Sequence, residues 1–426
     1  MNSKIPKGIG TGLAGLTAVA GLALASGGPA AAQEGAPAPV LGFEPVTQYT
    51  VSGEVAEIVA ATPDGETLVY TDSESVEIGF VDITDPAAPT EIATAPVDGS
   101  PTSVAVTPDG DFVLVAVSGT NELVVLDAET RAEVTSIALG GQPDSVTVAK
   151  SGRYAAVAIE NERDEDVADG AMPQPPAGFL TIIDLVGDPD EWTTRDVDLT
   201  GVADRFADDP EPEFVDIRAG IAAVTLQENN HIVLVRLSDG SIVRDFTAGT
   251  TTHAADLTDN GTISFTETLT DARREPDGIA WTPLGRLVTA NEGDYDIDLA
   301  ESEFVGGRNF TVFGRRGGIR WERGANLERK ANAVGLYPDG RSDAKGAEPE
   351  GAEVARFGGR TFAFIGAERG NFVAVYRLVG PQEAPVFVEI LPTGDRPEGL
   401  VAIPGRGLFV SANEGDGTID LFAADT

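Results

Sequence analysis

A four-position pattern recurs seven times along this chain: a proline or small residue, an acid, a small residue, then an apolar run. It reads Val55-Ala56-Glu57-Ile58, Pro101-Thr102-Ser103-Val104, Pro143-Asp144-Ser145-Val146 and Pro212-Glu213-Phe214-Val215 in the first half. Pro276-Asp277-Gly278-Ile279, Pro349-Glu350-Gly351-Ala352 and Pro397-Glu398-Gly399-Leu400 follow. The acid position returns after 45, 42, 69, 64, 73 and 48 residues. The shortest intervals match a four-stranded propeller blade of roughly 40–45 residues, and the longer ones imply inserted loops. A repeat at this period constrains the fold strongly, because each unit can bury its apolar face only against its neighbours.

Within each unit the strands read in the same order. The signature opens a strand that ends in a turn such as Thr62-Pro63-Asp64-Gly65 or Thr107-Pro108-Asp109-Gly110. An alternating strand follows, as in Phe112 to Val117, Ile221 to Leu226 or Leu408 to Ala412. A third carries Leu123-Val124-Val125-Leu126-Asp127 or Thr418-Ile419-Asp420-Leu421. Period-2 alternation, β-branched residues and turn punctuation agree on strands, and no stretch carries a helical stripe. Seven such units predict an all-β, seven-bladed β-propeller spanning 43–426, whose edges are protected by closure into a ring. The last unit stops after its third strand, and Phe43 to Val51 is a strand without a unit. It is expected to supply the missing strand of the blade that holds Gly399 to Phe422. Insertions are expected at Glu162–Gly178, Val186–Asp209, Thr247–Arg274 and Tyr295–Lys345, away from the inner strands.

The amino terminus reads as an export signal: Lys4 and Lys7, an uncharged apolar stretch from Leu13 to Ala25, then Ala30-Ala31-Ala32 before Gln33. The expectation is cleavage after Ala32, a flexible leader over 33–42, and a chain outside the cytoplasm, periplasmic or extracellular, with no stable membrane insertion.

Composition narrows the chemistry. The chain has 69 acidic and 29 basic residues, a formal charge of −40. Such a polyanion repels phosphate backbones, so nucleic acid is not an expected partner. There are no cysteines and two histidines, so a metal here would be a hard ion bound through oxygen. G-x-S-x-G, H-E-x-x-H and P-loop motifs are absent. His231 and His253 lie in different units and read as loop or strand-end residues.

The second strands end in acid-bearing turns: Leu226-Gln227-Glu228-Asn229-Asn230, Thr289-Ala290-Asn291-Glu292-Gly293-Asp294, Ala367-Glu368-Arg369 and Ala412-Asn413-Glu414-Gly415-Asp416. With Arg341-Ser342-Asp343-Ala344-Lys345-Gly346-Ala347-Glu348-Pro349-Glu350-Gly351, this ordered set resembles the choice-of-anchor I family. These are exported bacterial β-propellers, some described as alkaline-phosphatase-like. A looser similarity runs to phytase-like esterase propellers and YVTN-type repeats. One departure is Arg163-Asp164-Glu165-Asp166, where the family tends to continue Gly-Glu-Pro.

The chemistry on offer is a pair of carboxylate rings. Glu57, Asp144, Glu213, Asp277, Glu350 and Glu398 open the inner strands of six blades, with Thr102 as the exception in the seventh. Glu228, Glu292, Glu368 and Glu414 end second strands and should lie on the same face. Like charges gathered at one mouth raise one another's proton affinity unless something positive compensates. Calcium, which takes six to eight oxygens, would do so. Hydrogen bonds from turn amides are the other reading of the same pattern. Asp294, Asp296 and Asp298 have the spacing of a calcium loop, but Leu299 stands where that loop needs glycine. Arg341, Lys345, Arg369 and Arg396, with Asn291, are candidate ligand contacts, either holding an anion or pairing with the ring acids. The functional expectation is an acidic propeller binding a small molecule or protein on its channel face, through calcium. A metal-dependent phosphoesterase and a structural envelope or matrix protein are the alternatives.

Overall fold

The computed structural model describes residues 42–163, 172–293, 306–381 and 383–425. Among the described residues, seven four-stranded antiparallel sheets form the blades of a ring, and a further two-stranded sheet belongs to none of the blades. The inner strands are Val59–Ala61, Ser100–Val106, Pro143–Val148, Pro212–Arg218, Pro276–Trp281, Pro349–Phe357 and Pro397–Ile403.

Closure follows the expected route. Phe43–Thr50 pairs with Thr418–Ala424, the third strand of the last blade, in a register from Phe43 opposite Ala424 to Thr50 opposite Thr418. Phe43 anchors this clasp. Its ring lies 5.1 Å from Phe357, 5.4 Å from Phe362 and 5.1 Å from Phe364, each edge-on. Edge-on contacts set the positive rim of one ring against the negative face of the next.

Each position of the repeated signature has a physical task. Proline opens the strand, where no ladder hydrogen bond is needed from its nitrogen. The acid sits in a β-bulge. In five blades the three-residue step Pro143–Val146, Pro212–Val215, Pro276–Ile279, Pro349–Ala352 or Pro397–Leu400 faces only two on the second strand. Pro101–Ser103 carries the corresponding bulge around Thr102. The extra residue re-aims the side chain at that point. The small third residue meets the next blade. Ser145 Oγ donates to Glu213 O at 2.7 Å and accepts from Val215 N at 3.1 Å, and Ser103 Oγ accepts from Val146 N at 3.1 Å. Where the residue is glycine the approach is closer: a Cβ on Gly278 would strike the Glu350 carbonyl oxygen, and one on Gly399 that of Glu57. The apolar run then packs between sheets, as Val146, Val215 and Ile279 do.

Two expectations need correction. Val186–Asp209 is not wholly an insertion, because Thr193–Asp198 is the outer strand of the third blade. Tyr295–Lys345 likewise contains Asn309–Phe313 and Ile319–Glu322, the third and fourth strands of the fifth blade. These strands escaped notice because the outer ones are polar and largely exposed, and Asn309–Phe313 spans only five residues. The chain also has a helix, Asn326–Val334, ended by Gly335 at φ 82°. Leu327 and Ala331 pin it to the core shared by the fifth and sixth blades. One turn of apolar contact is too little periodicity to reveal a helix of this length. Thr247–Arg274 contains the extra hairpin, Thr250–Ala255 with Glu267–Arg273.

In an antiparallel blade, the link from second to third strand and the link to the next blade emerge where the inner strand begins. The described segments after Asp198, Thr247 and Glu322 belong to links to the next blade, so they leave the sheets at the mouth that carries the acids. Among the described residues, no helix is long and apolar enough to cross a membrane. The expected export signal and most of the leader lie outside the described residues.

Candidate acidic channel site

The inner-strand acids converge. Asp144, Glu213, Asp277, Glu350 and Glu398 surround a narrow floor of about 90 Å³ with Thr102. Above it opens a chamber of about 670 Å³. Glu57 and the second-strand acids Glu228, Glu292, Glu368 and Glu414 join its wall. Among the described residues, thirteen acidic and three basic side chains line it. The imbalance makes the chamber a focus of negative potential.

The two rings are compensated differently. Cations reach the upper one. Arg163 lies 2.7 Å from Glu228, Lys345 2.5 Å from Glu292, Arg369 2.9 Å from Glu368, and Arg396 2.9 Å from Glu414. Glu348 takes Arg341 at 2.6 Å and Arg369 at 3.3 Å. Gln227 Nε2 adds a hydrogen bond to Glu292 at 2.7 Å. The lower ring has no such close partners, though Lys345 favours the charged form of Asp277 from further off. Among the described residues, neither a hydrogen-bond donor nor an ion-pair contact meets Asp144, Glu213, Asp277 or Glu398. Glu350 is met by another carboxyl, that of Glu368. Turn amides therefore do not account for the inner acids.

Their proton affinities follow. Burial first, then neighbouring carboxylates, hold Glu213, Asp277, Glu350 and Glu398 well above the usual range. Asp144 is pushed up to about 7 by burial and by Glu162 and Glu228. Burial takes Glu57 to about 7 against the hydrogen bond from Ser73, with Glu414 and Asp72 adding to the rise. Glu292 reaches about 7, burial outweighing Lys345. Buried Glu211 rises to about 9 through burial and Glu228, opposed by Arg163. The ring carboxyls are only partly exposed within the channel, so each charge there is less well hydrated than on the open surface.

Asp277, Glu292 and Glu350 each present a carboxylate oxygen, all within 4.8 Å of one another. Three carboxylates at that spacing are a donor set for a hard cation.

Of the expected ligand contacts, Lys345 and Arg369 line the chamber, both in ion pairs. Arg341 and Arg396 are also paired with carboxylates. Asn291 is fully buried, its amide bonded to Asn309 at 2.6 Å and Thr311 at 2.9 Å within its own blade. It is a packing residue there. Asp294, Asp296 and Asp298 lie outside the described residues. His231 contacts Asp245 at 3.4 Å, and His253 bonds the Gly307 carbonyl oxygen at 2.9 Å.

Sequence reasoning missed Glu160, Glu162, Arg163 and Glu348 in the chamber wall. Glu160 was accessible to it, because it directly follows the last residue of its second strand, Ile159, as Glu292, Glu368 and Glu414 follow Asn291, Ala367 and Asn413. Arg163 is the residue at which the chain departs from the family pattern, and it holds Glu228.

Ring, bulged inner strands and chamber together define a seven-bladed β-propeller with an acid-lined channel. The chain belongs to the choice-of-anchor I domain family, which it matches over residues 57–304 and 295–381. A hydrazine synthase structure from Kuenenia stuttgartiensis is similar at TM-score 0.61 and 16% identity, over 89% of this chain and 99% of that one. The β-propeller domain of Cps50 (Swd1) from Myceliophteria thermophila is similar at TM-score 0.57 and 9% identity, over 90% and 100%. At these identities the likeness is one of fold. No curated protein sequence matches the chain.

Proposed function

We propose that this chain is an exported binding protein whose channel chamber takes a hard divalent cation, calcium by preference, and through it a ligand on the acidic face. The observation that carries the reading is the lower carboxylate ring without close cationic partners, next to the oxygen cluster of Asp277, Glu292 and Glu350. Carboxylates crowded in a poorly solvated chamber either hold protons or hold a cation. A chamber that offers many carboxylate oxygens suits calcium, which accepts many oxygens and variable geometry, better than magnesium, which needs a tight octahedron. Export is supported by the order of charge, apolar run and small residues before Gln33.

The test is melting of the mature chain with calcium against chelator, in wild type and in Glu350→Gln. An ion that binds only the folded state stabilises by about 2.7 kcal/mol at a hundredfold excess over Kd. Calcium should raise the wild-type Tm and raise that of the variant less. No shift in either protein overturns the reading. A phosphoesterase draws less support, because the cations that would grip a phosphoryl group are already engaged with carboxylates.

A further inference from the structure

The channel has a second mouth, where the inner strands end, and the charges there are of both signs. A chamber of about 670 Å³ is lined by Lys150, Arg218 and Arg356 and by Asp216 and Glu353. Three cations to two carboxyls reverse the balance of the acid chamber. A carboxylate repelled at one mouth is therefore admitted at the other.

The strands sort these charges by depth. Asp216 and Arg218 belong to the inner strand of the fourth blade, and Glu353 and Arg356 to that of the sixth. Lys150 follows the inner strand of the third. In both strands the carboxyl comes first along a chain that runs toward this mouth. Asp216 and Glu353 accordingly also border the space between the two chambers, which Lys150, Arg218 and Arg356 do not. The carboxyls lie deep and the cations lie at the rim.

The opposite charges do not neutralise one another by contact. Among the described residues, none of the three cations is in ion-pair contact with either carboxyl. Arg218 Nη2 donates to Pro283 O at 2.7 Å, which holds the guanidinium and leaves further N–H groups to donate. Asp216 accepts from Trp281 N at 2.6 Å. Burial pushes Asp216 up to about 6 despite that bond and Lys150. Burial and then Asp216 take Glu353 to about 7, with Lys150 opposing. Both carboxyls are thus short of positive charge at close range. Trp281 lines the same chamber, is 7% exposed, and has an indole N–H that meets no acceptor among the described residues.

We propose that this chamber binds a short linear peptide, two or three residues long, through both of its free termini. The ammonium meets Asp216 and Glu353, and the carboxylate meets Arg218 and Arg356 at the rim, beside Lys150. Asp216 and Arg218 stand two positions apart on their strand, and Glu353 and Arg356 three, which is about 7 and 10 Å. Two or three extended residues of peptide span about the same distances. A free amino acid carries both charges on one carbon, and an internal segment of a protein carries neither. Ile217, Val354, Ala355 and Ala402 give the peptide's side chains an apolar wall. The chamber volume is within the ordinary range for a ligand pocket. This goes beyond the divalent-cation reading, since Asp277, Glu292 and Glu350 line the other chamber.

The experiment is calorimetric titration of the mature chain in chelator with trialanine, its N-acetylated form, its C-amidated form and alanine. Trialanine should bind, and both capped forms should bind about tenfold or more weakly, because each lacks one set of charge-assisted hydrogen bonds. Alanine, too short to reach both rows, should be weakened as much. Glu353→Gln should weaken trialanine by a similar factor and leave the acetylated form unchanged. Arg356→Gln should weaken trialanine likewise and leave the amidated form unchanged. Melting checks that both variants are folded. No binding of trialanine, a capped form or alanine that binds as tightly, or a preference for free termini that survives either substitution overturns the proposal. The calcium melting series concerns the other chamber and succeeds or fails separately.

Discussion

Replacing Glu57 by glutamine removes one carboxylate from the chamber wall while keeping its shape and an oxygen to accept from Ser73. The carboxyl stands at about 7 in the fold against an ordinary 4.5, mainly through burial. Its folded proton affinity is raised, so the native state binds more protons than the unfolded chain between those two values. Stability is therefore lost as pH climbs from about 4.5 to about 7 and stays low above that. A shift of about 2.5 units at 1.36 kcal/mol per unit sets an upper value of roughly 3 kcal/mol at pH 8. For a propeller of roughly 380 residues, unfolding entropy near 2.1 cal/mol/K per residue turns this into about 4 °C of Tm. Glu57→Gln should thus melt higher than wild type by up to about 4 °C at pH 8 and no higher at pH 4, both in chelator. Relief of Glu398, whose proton affinity Glu57 also raises, acts in the same direction. A variant that melts lower at pH 8, or that shows the same offset at both pH values, would refute the reasoning, because the carboxylate would then be a stabilising acceptor.

Phe43→Ala should cost about 3–5 kcal/mol, as large-to-alanine changes do in packed aromatic cores. Because the lost contacts hold the closing strand, limited proteolysis near residues 42–50 should accelerate with the fall in Tm, and an unchanged cleavage pattern would count against the clasp. Lys345→Met removes a cation from buried Glu292. It should destabilise by about 3 kcal/mol at pH 8, where breaking a buried pair strands a charge, and by much less at pH 5, where Glu292 holds its proton in both proteins. Equal losses at the two pH values would show that Lys345 acts through packing alone.

The repeat, its strand order, the blade number and the closing strand were all legible in the sequence. Each is a local or periodic property, written by alternation, turn residues and the returning Pro-acid-small-apolar pattern. The carboxylates were legible for the same reason, since position within the repeat places each of them at one mouth. What only the tertiary structure decided is how they are compensated. Whether Glu213 meets a donor depends on the neighbouring blades, and Arg163, Lys345 and Arg369 reach the upper ring from inserted segments and turns that follow no period. The bulge that aims Asp144 or Glu350 is likewise a register between two strands, invisible in either alone. The outer strands Thr193–Asp198 and Ile319–Glu322 were missed because a solvent-facing strand needs no apolar run. Asn291, named as a candidate ligand contact, closes its strand with its amide buried inside the blade, bonded to Asn309 and Thr311, a pairing that only the fold brings about.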